Sequence, residues 1–579
     1  MTVVSLTLPS GVVRPTSPLQ AAGRYYDANL IRWRQGKLVP VGGWQRISSS
    51  PLSSTVRTIY TWANNSDRPL AALGCDENLY AFDGTSSTYT DITPDNFVGS
   101  NTASVGGYGA YDYGSLLYGD DTDATYPRPP SALDRVTFSW TVAGWGEDIL
   151  AVASSDGRLL HYEYGETEAH PVGSAAITTA ERVSNVVTVT TEYHHDFKVS
   201  DSIEITGNTE STFNGTFTIT SVPTDTTFTF SDPGTDQSGT GGTATHGIVP
   251  INNTGVVVTT ERHAVLFGCG GEPRRVAWSD QEDYSDWDFA NSASLAGFFE
   301  LDTDSPIQMA VNVREGVLIW TEDEAWLMRY VGSPFVYGFE RIGQGCGLMA
   351  PQSFATTAGR CVWMGRENFW IYEGGAVTPL ACDVASYVFE EGDKALSRLY
   401  THGSQNNVFP EVWFWFPSEG STVADRYVIW NYAENWWSLG QMTRTASTGA
   451  GAFPYPMTAD DSNEVYFQEF GWTDSGASLV GSRYAESGSL NSAGGQVITS
   501  VRQAMTNSGS GYDSTKLTFY GSFAPDGTES SFGPYTPRSD GYTDVRFTAR
   551  DFRVRFEATQ DAEWSVGGLR LDVVQRGGR

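Results

Sequence analysis

Apolar and polar residues alternate in short runs along most of the chain, and Gly, Asp, Asn and Pro punctuate the runs. A period of two marks half-buried strands, and turn residues between such runs mark hairpins. One run recurs almost unchanged. Glu77–Gly84 reads ENLYAFDG, and Glu367–Gly374 reads ENFWIYEG, 290 residues later. With Tyr80 as the register mark, the same pattern of turn, apolar, aromatic or Leu, apolar, aromatic returns at Leu160, Val276, Trp326, Trp370, Val428 and Tyr466. Trp326 to Trp370 is 44 residues, Val428 to Tyr466 is 38, and Val276 to Trp326 is 50. A four-stranded propeller blade repeats at roughly 40–50 residues. A matching first arm precedes several copies, as in Gly316–Glu322, Gly359–Gly365 and Glu147–Ser154. A generic antiparallel protein also contains similar hairpins, but the near-identical pair and the 44-residue step favour an all-β propeller of about seven blades.

Two steps are too long. From Tyr80 to Leu160 is 80 residues, and the excess is a Gly-, Tyr- and Pro-rich loop at Val105–Pro130. From Leu160 to Val276 is 116 residues, and residues 172–248 within it are Thr-rich alternating strands. Removing them restores a normal blade, so a small β domain is expected in a propeller loop, where closure entropy tolerates long insertions. Ala381–Tyr400 carries apolar residues near a 3.6 spacing and is expected to be a helix linking two blades. In Val545–Ala558, Phe552, Val554 and Phe556 face one way and Arg553 and Arg555 the other, which sets the register of a C-terminal β domain of sandwich type. The expected organisation is an extended N-terminal arm over 1–54, blades over 55–171, the insert over 172–248, further blades over 249–485, and the C-terminal β domain over 486–579.

Composition sharpens this picture. Aromatics make up 13% of the 579 residues, and there are 62 Gly, which suits half-buried strands joined by tight turns. The net charge is −32, which argues against a surface that grips nucleic acid through its phosphates. The five Cys lack CxxC spacing and read as reduced, mostly buried thiols. The N-terminus has no basic-then-apolar signal, and no apolar run nears about 18 residues, so neither export through a signal peptide nor a membrane span is expected. Arg24, Arg32, Arg34, Lys37 and Arg46 cluster in the lead-in. They suit either a contact arm to a neighbouring subunit or an edge strand paired with acids on the body.

Motifs for catalysis are missing from the sequence. There is no GxSxG elbow, P-loop, HExxH or CxxC pair, and no GxGxxG opens a helix. Ser279–Phe289 holds five carboxylates and has a distant likeness to the Asp-box of sialidase propellers, but lacks the Gly of that turn. Asp120–Asp123 lacks the alternation of a calcium loop. His194 and His195 invite a metal reading, but no third His or Cys lies near them in sequence. No catalytic, cofactor or metal residue is therefore assigned.

The strands Glu411–Ser418 (EVWFWFPS) and Asp425–Trp437 (DRYVIWNYAENWW) resemble those of a known family, the tail nozzle proteins of short-tailed bacteriophages, also called packaged-DNA stabilisation or tail tubular B-type proteins. Gly23–Ile47 (GRYYDANLIRWRQGKLVPVGGWQRI) and the Gly-Tyr loop are similar to parts of that family too, over roughly residues 20–480. The resemblance implies a structural virion protein, made in the host cytoplasm and working in the virion tail. It implies a homohexameric ring below the portal and the tail adaptor protein, a docking surface for tail fibres or spikes, and a channel through which genomic DNA slides without tight binding. It implies no enzyme activity and no cofactor. The competing expectation is a carbohydrate-binding or glycan-cleaving propeller, with Trp436 and Trp437 as sugar platforms or the acids of Ser279–Phe289 as catalysts.

Overall fold

The computed structural model of the chain describes residues 2–100, 138–332, 334–357, 359–505, 512–524 and 527–575. The Val105–Pro130 loop and Asp120–Asp123 lie outside the described residues. The chain forms two compact units, Leu52–Gln352 and Met1–Pro51 with Ser353–Arg579. Seven four-stranded antiparallel sheets make a seven-bladed β-propeller arrangement. Blades 1 to 4 (56–91, 140–171, 255–300 and 307–344) belong to the first unit, and blades 5 to 7 (354–380, 402–441 and 446–468) to the second.

The recurring motif marks the same place in every blade. Tyr80, Leu160, Val276, Trp326, Trp370, Val428 and Tyr466 all lie in the third strand. The matching first arms are the second strands, and these are the most buried. Pro69–Cys75 is buried at six of its seven positions, and Glu411–Phe416 at all six. A strand covered on both faces reads as a continuous apolar run, so these segments lack clean alternation.

Blades 1 and 2 share a core. Trp140 is fully buried, stacks on Phe97 at 5.3 Å and donates its indole N–H to the Cys75 carbonyl at 2.8 Å. Gly74 lets this ring approach the backbone, since a Cβ there would lie 2.4 Å from Trp140 Cγ.

The insert is a seven-stranded sheet running from Ser174–Val183 to Thr243–Thr245. Its own core includes Val187, Val189, Ile203, Phe213, Phe228 and Phe230. The His246 N–H donates to the Gly173 carbonyl at 2.7 Å, so the insert leaves and rejoins blade 2 at one point.

In the second unit, the stretch expected as an arm over 1–54 is divided between two sheets. Thr2–Leu6, Tyr25–Asn29, Ile31–Arg34 and Lys37–Pro40 join a ten-stranded sheet with the C-terminal strands. Trp44–Arg46 instead supplies the fourth strand of blade 7, pairing Arg46 with Tyr466. The hairpin between Ile31–Arg34 and Lys37–Pro40 turns at Gln35 and Gly36, both at positive φ, which matches the twist of a tight two-residue turn.

One expectation about local structure is corrected, and a second is narrowed. Ala381–Tyr400 is not one helix but two short pieces, Ala385–Phe389 and Ser397–Tyr400. A Cβ at Gly392 would sit 2.4 Å from the Val388 carbonyl, and the Asp393 carboxylate caps the second piece by accepting the N–H groups of Ala395 and Leu396 at 2.9 Å each. In the C-terminal strand Tyr542–Ala558 the expected alternation at Phe552, Arg553, Val554, Arg555 and Phe556 holds, but the strand does not keep one phase along its whole length. Val545, Phe547 and Ala549 are buried, then Asp551 and Phe552 are buried in succession, and Val554 and Phe556 follow. The shift coincides with an irregular register in its partner, where Asn491 faces Asp551 but Gln496 faces Ala549. Among the described residues no helix is long and apolar enough to cross a membrane.

Candidate functional site: a histidine–carboxylate cluster and an aromatic edge

The lead-in cations pair with acids of the body. Arg32 is 1% exposed. Its Nε lies 3.0 Å from Glu411 Oε1, and its other two nitrogens meet both carboxylate oxygens of Glu469. Glu469 also accepts from the Gly42 N–H and the Asn406 amide, each at 3.0 Å, and Glu411 accepts from the Trp413 indole at 3.1 Å. The Phe409 ring covers the guanidinium at 3.8 Å. Burial pushes the Glu411 carboxyl up to about 7 against the pull of Arg32. Arg46 pairs with Glu464 at 2.6 Å, and Arg24 lies 3.9 Å from Asp383, while Arg34 is exposed.

The residues expected to serve carbohydrate are placed otherwise. Trp436 and Trp437 are each 2% exposed, and the Trp437 indole donates to the Ala381 carbonyl at 2.9 Å. Neither presents a ring to a ligand. In Ser279–Phe289, Asp280, Asp286 and Asp288 accept backbone N–H groups of Leu295, Asp288 and Ala290, which shapes the turns of blade 3. Asp283 is paired with Lys198 of the insert.

Blade 2, blade 3 and the insert meet at a cluster of chemistry-bearing side chains. His161 and His170 are cross-strand partners in blade 2, so their rings stand side by side with centroids 5.1 Å apart. His161 Nδ1 is 3.4 Å from His170 Nε2. The insert contributes His194 and Asp196, whose side chains approach to 2.9 Å. Tyr284 of the blade 3 loop stacks on His161 at 4.7 Å and donates its hydroxyl to Asp196 at 2.8 Å. Behind the two blade histidines stand Asp148, 3.7 Å from His161 Nε2, and Glu166, 3.4 Å from His170 Nδ1. Burial works to raise the Asp196 carboxyl, but the hydrogen bond from His194 and the charges of His170 and His161 outweigh it and hold it below the usual range. The same bond raises His194, with burial opposing. Burial, then Asp196, pushes the Tyr284 hydroxyl up. His194 stood out in the sequence. Its partners His161 and His170 lie 33 and 24 residues upstream, a separation that belongs to no ligand motif, and only the cross-strand register joins them.

A second feature lies on blades 3 and 4. Phe298 and Phe299, in the outer strand Gly297–Glu300, and Phe335, at the tip of the hairpin between Glu324–Gly332 and Val336–Gln344, are exposed. Phe299 stacks flat on Phe339 with centroids 4.4 Å apart. Two clefts in the second unit, of about 240 and 250 Å³, are lined by groups including Arg444 and Asp460 in one and Phe369 and Cys382 in the other.

No family model matches the chain, and no curated protein matches it. Solved structures similar to it include the Cps50 (Swd1) β-propeller domain of Myceliophteria thermophila, at 6% identity and a TM-score of 0.29 over 73% of this chain and 99% of that one. A virginiamycin B lyase from Staphylococcus aureus is similar at 9% identity and a TM-score of 0.27, over 58% of this chain and 96% of that one. The phage phi92 endosialidase is similar at 10% identity and a TM-score of 0.19, over 65% of this chain and 64% of that one. Enzymes are thus among the similar structures, and the likeness ends at the β-propeller architecture that the sheets of this chain display.

Proposed function

We propose that the chain is a structural subunit of a short-tailed bacteriophage tail, a nozzle protein that forms the distal DNA channel as a homohexamer below the portal and tail adaptor. It acts without catalysis, retains packaged DNA, lets it slide out at ejection, and offers surface to tail fibres or spikes. The observation that carries this reading is the union of the two stretches that resemble that family. Arg32 of the lead-in and Glu411 of the EVWFWFPS strand form one buried ion pair, and the Ser438 hydroxyl donates to the Ile31 carbonyl at 2.8 Å. The two motifs therefore pack directly against each other. Charge supports the reading as well. Duplex DNA carries about one charge per 1.7 Å of axis, and a chain of net −32 offers few sticky phosphate contacts. The burial of Trp436 and Trp437 removes the platforms of the carbohydrate alternative.

The test is assembly. Purified chain mixed with a portal–adaptor complex should add a sixfold ring at its distal end in electron micrographs, and free duplex DNA should bind weakly at physiological salt. A chain that stays monomeric beside that complex and cleaves capsule polysaccharide would overturn the proposal.

A further inference from the structure

We propose that His161, His170, His194 and Asp196 form a binding site for one divalent transition-metal ion of the zinc class, which ties the inserted domain to blade 2. The inference is independent of the role in a phage tail.

Two donor pairs stand at about the spacing of a coordination shell, and the third imidazole lies about 1 Å outside it. Ligands bound at about 2.0–2.1 Å to a tetrahedral ion lie roughly 3.4 Å from one another, and three imidazoles on it have centroids roughly 5 Å apart. His161 Nδ1 and His170 Nε2 are 3.4 Å apart, and His170 Nε2 is 3.8 Å from Asp196 Oδ2. The three ring centroids are separated by 5.1, 5.8 and 6.4 Å.

The second layer has the matching chemistry. A metal-bound imidazole turns its other nitrogen to a carboxylate, which fixes the tautomer and raises its basicity. His161 Nε2 faces Asp148, and His170 Nδ1 faces Glu166. Hydrogen bonding within the cluster leaves three of these atoms unmet. His161 Nε2, His170 Nδ1 and Asp196 Oδ2 are buried atoms without a hydrogen-bond partner.

Charge points the same way. Asp148, Glu166 and Asp196 have only histidines as ion-pair partners among the described residues. Imidazoles bound to a metal ion are neutral, and the cation itself then offsets the three carboxylates, of which Asp196 is buried and Asp148 and Glu166 are 23% and 25% exposed. Nitrogen-rich ligation with one carboxylate suits zinc or cobalt over calcium or magnesium.

The donors stand hydrogen-bonded to one another, and no group of three is already arrayed around a common centre among the described residues. Ion entry replaces the contact between the two blade imidazoles and draws Asp196 from Tyr284, by ring and carboxylate rotations. His194, whose side chain is 30% exposed, gives the ion access from solvent.

The experiment uses the full chain, dialysed against chelator and titrated with Co²⁺, with visible d–d absorption and thermal unfolding as readouts. One equivalent of Co²⁺ per chain should give the intense absorption of nitrogen-rich tetrahedral cobalt, raise the unfolding temperature, and be displaced by Zn²⁺. His170→Gln and Asp196→Asn should weaken binding at least tenfold, and Glu166→Gln should weaken it less. His402→Gln, in blade 6, should leave it unchanged. If His170→Gln does not fold, His194→Gln at the partly exposed position carries the same test. No saturable cobalt spectrum, or a spectrum that survives both Asp196→Asn and His194→Gln, would overturn the proposal.

Discussion

Replacing Arg32 by Ala removes the cation from between two carboxylates whose side chains are 1% and 2% exposed. Glu411 and Glu469 keep their remaining donors, but the charge that balanced them is gone. Breaking a buried ion pair by deleting one partner costs about 3–5 kcal/mol. The guanidinium also fills the space under Phe409, so the loss belongs in the upper part of that range. A pH signature accompanies it. Glu411 is already raised from 4.5 to about 7 with Arg32 present, because burial dominates. A carboxyl raised on folding stabilises the native state below its unfolded value and loses that contribution as pH rises through its folded value. Without Arg32 the carboxyl rises further, so Arg32→Ala should be harmed more at pH 8 than at pH 5, by up to about 1.4 kcal/mol, the one unit between about 7 and pH 8. Glu411→Gln keeps the shape and an acceptor for Trp413 and leaves Arg32 balanced by Glu469. It should cost under about 1 kcal/mol at pH 8, and should restore part of the loss when combined with Arg32→Ala. Urea unfolding followed by tryptophan fluorescence reads this well, since Trp33 and Trp413 lie beside the pair. A loss under 1 kcal/mol for Arg32→Ala, or an equal loss at pH 5 and pH 8, refutes the reasoning.

Other outcomes follow from the packing. Trp140→Ala should cost about 3–5 kcal/mol in the unit that holds blades 1 to 4, measured by urea unfolding, and Phe97→Ala clearly less. Excising residues 174–245 should leave the blades folded by circular dichroism, because Gly173 and His246 are already hydrogen-bonded and the insert has its own core; aggregation of the excised chain would contradict this. The contact of the insert should respond to pH in both directions. His194 is raised above 6.5, so its contribution is whole below that value and fades as pH rises through the higher folded one; Asp196 is lowered below 3.8, so its contribution is whole above 3.8 and fades as pH falls through the folded value. Hydrogen exchange around residues 194–201 should therefore be slowest between pH 3.8 and 6.5 once corrected for the intrinsic rate, in chelator-treated protein.

The propeller was legible because two near-identical third strands, those of Tyr80 and Trp370, are only partly buried and follow Asn78 and Asn368. The second strands, such as Glu411–Phe416, lose alternation through burial on both faces, and only their position before the marked strand betrays them. The lead-in was legible as strands but not as part of two distant sheets, since nothing local encodes the pairing of Arg46 with Tyr466. Ala381–Tyr400 has helical spacing, but spacing cannot register the contact at Gly392. The phase change at Asp551 depends on a bulge in a partner strand. The histidine cluster escaped for a similar reason. His161 and His170 meet across a hairpin, and His194 arrives from an inserted domain, so the convergence exists only after folding.

The strand that completes blade 7 is made before every other blade strand. Arg46 must find Tyr466, 420 residues later in the chain. At 5–20 residues per second, roughly 20–85 s separate the synthesis of the two partners. During that time Val465–Gln468 does not yet exist, and Trp44–Arg46 is a bare strand edge, open to the wrong neighbour. This closure is among the longest-range contacts the chain can make, and such contacts are slow to form. Completion of the last blade therefore waits on the far end of the propeller: a chain that stops before Val465, however many blades it has made, lacks this seam.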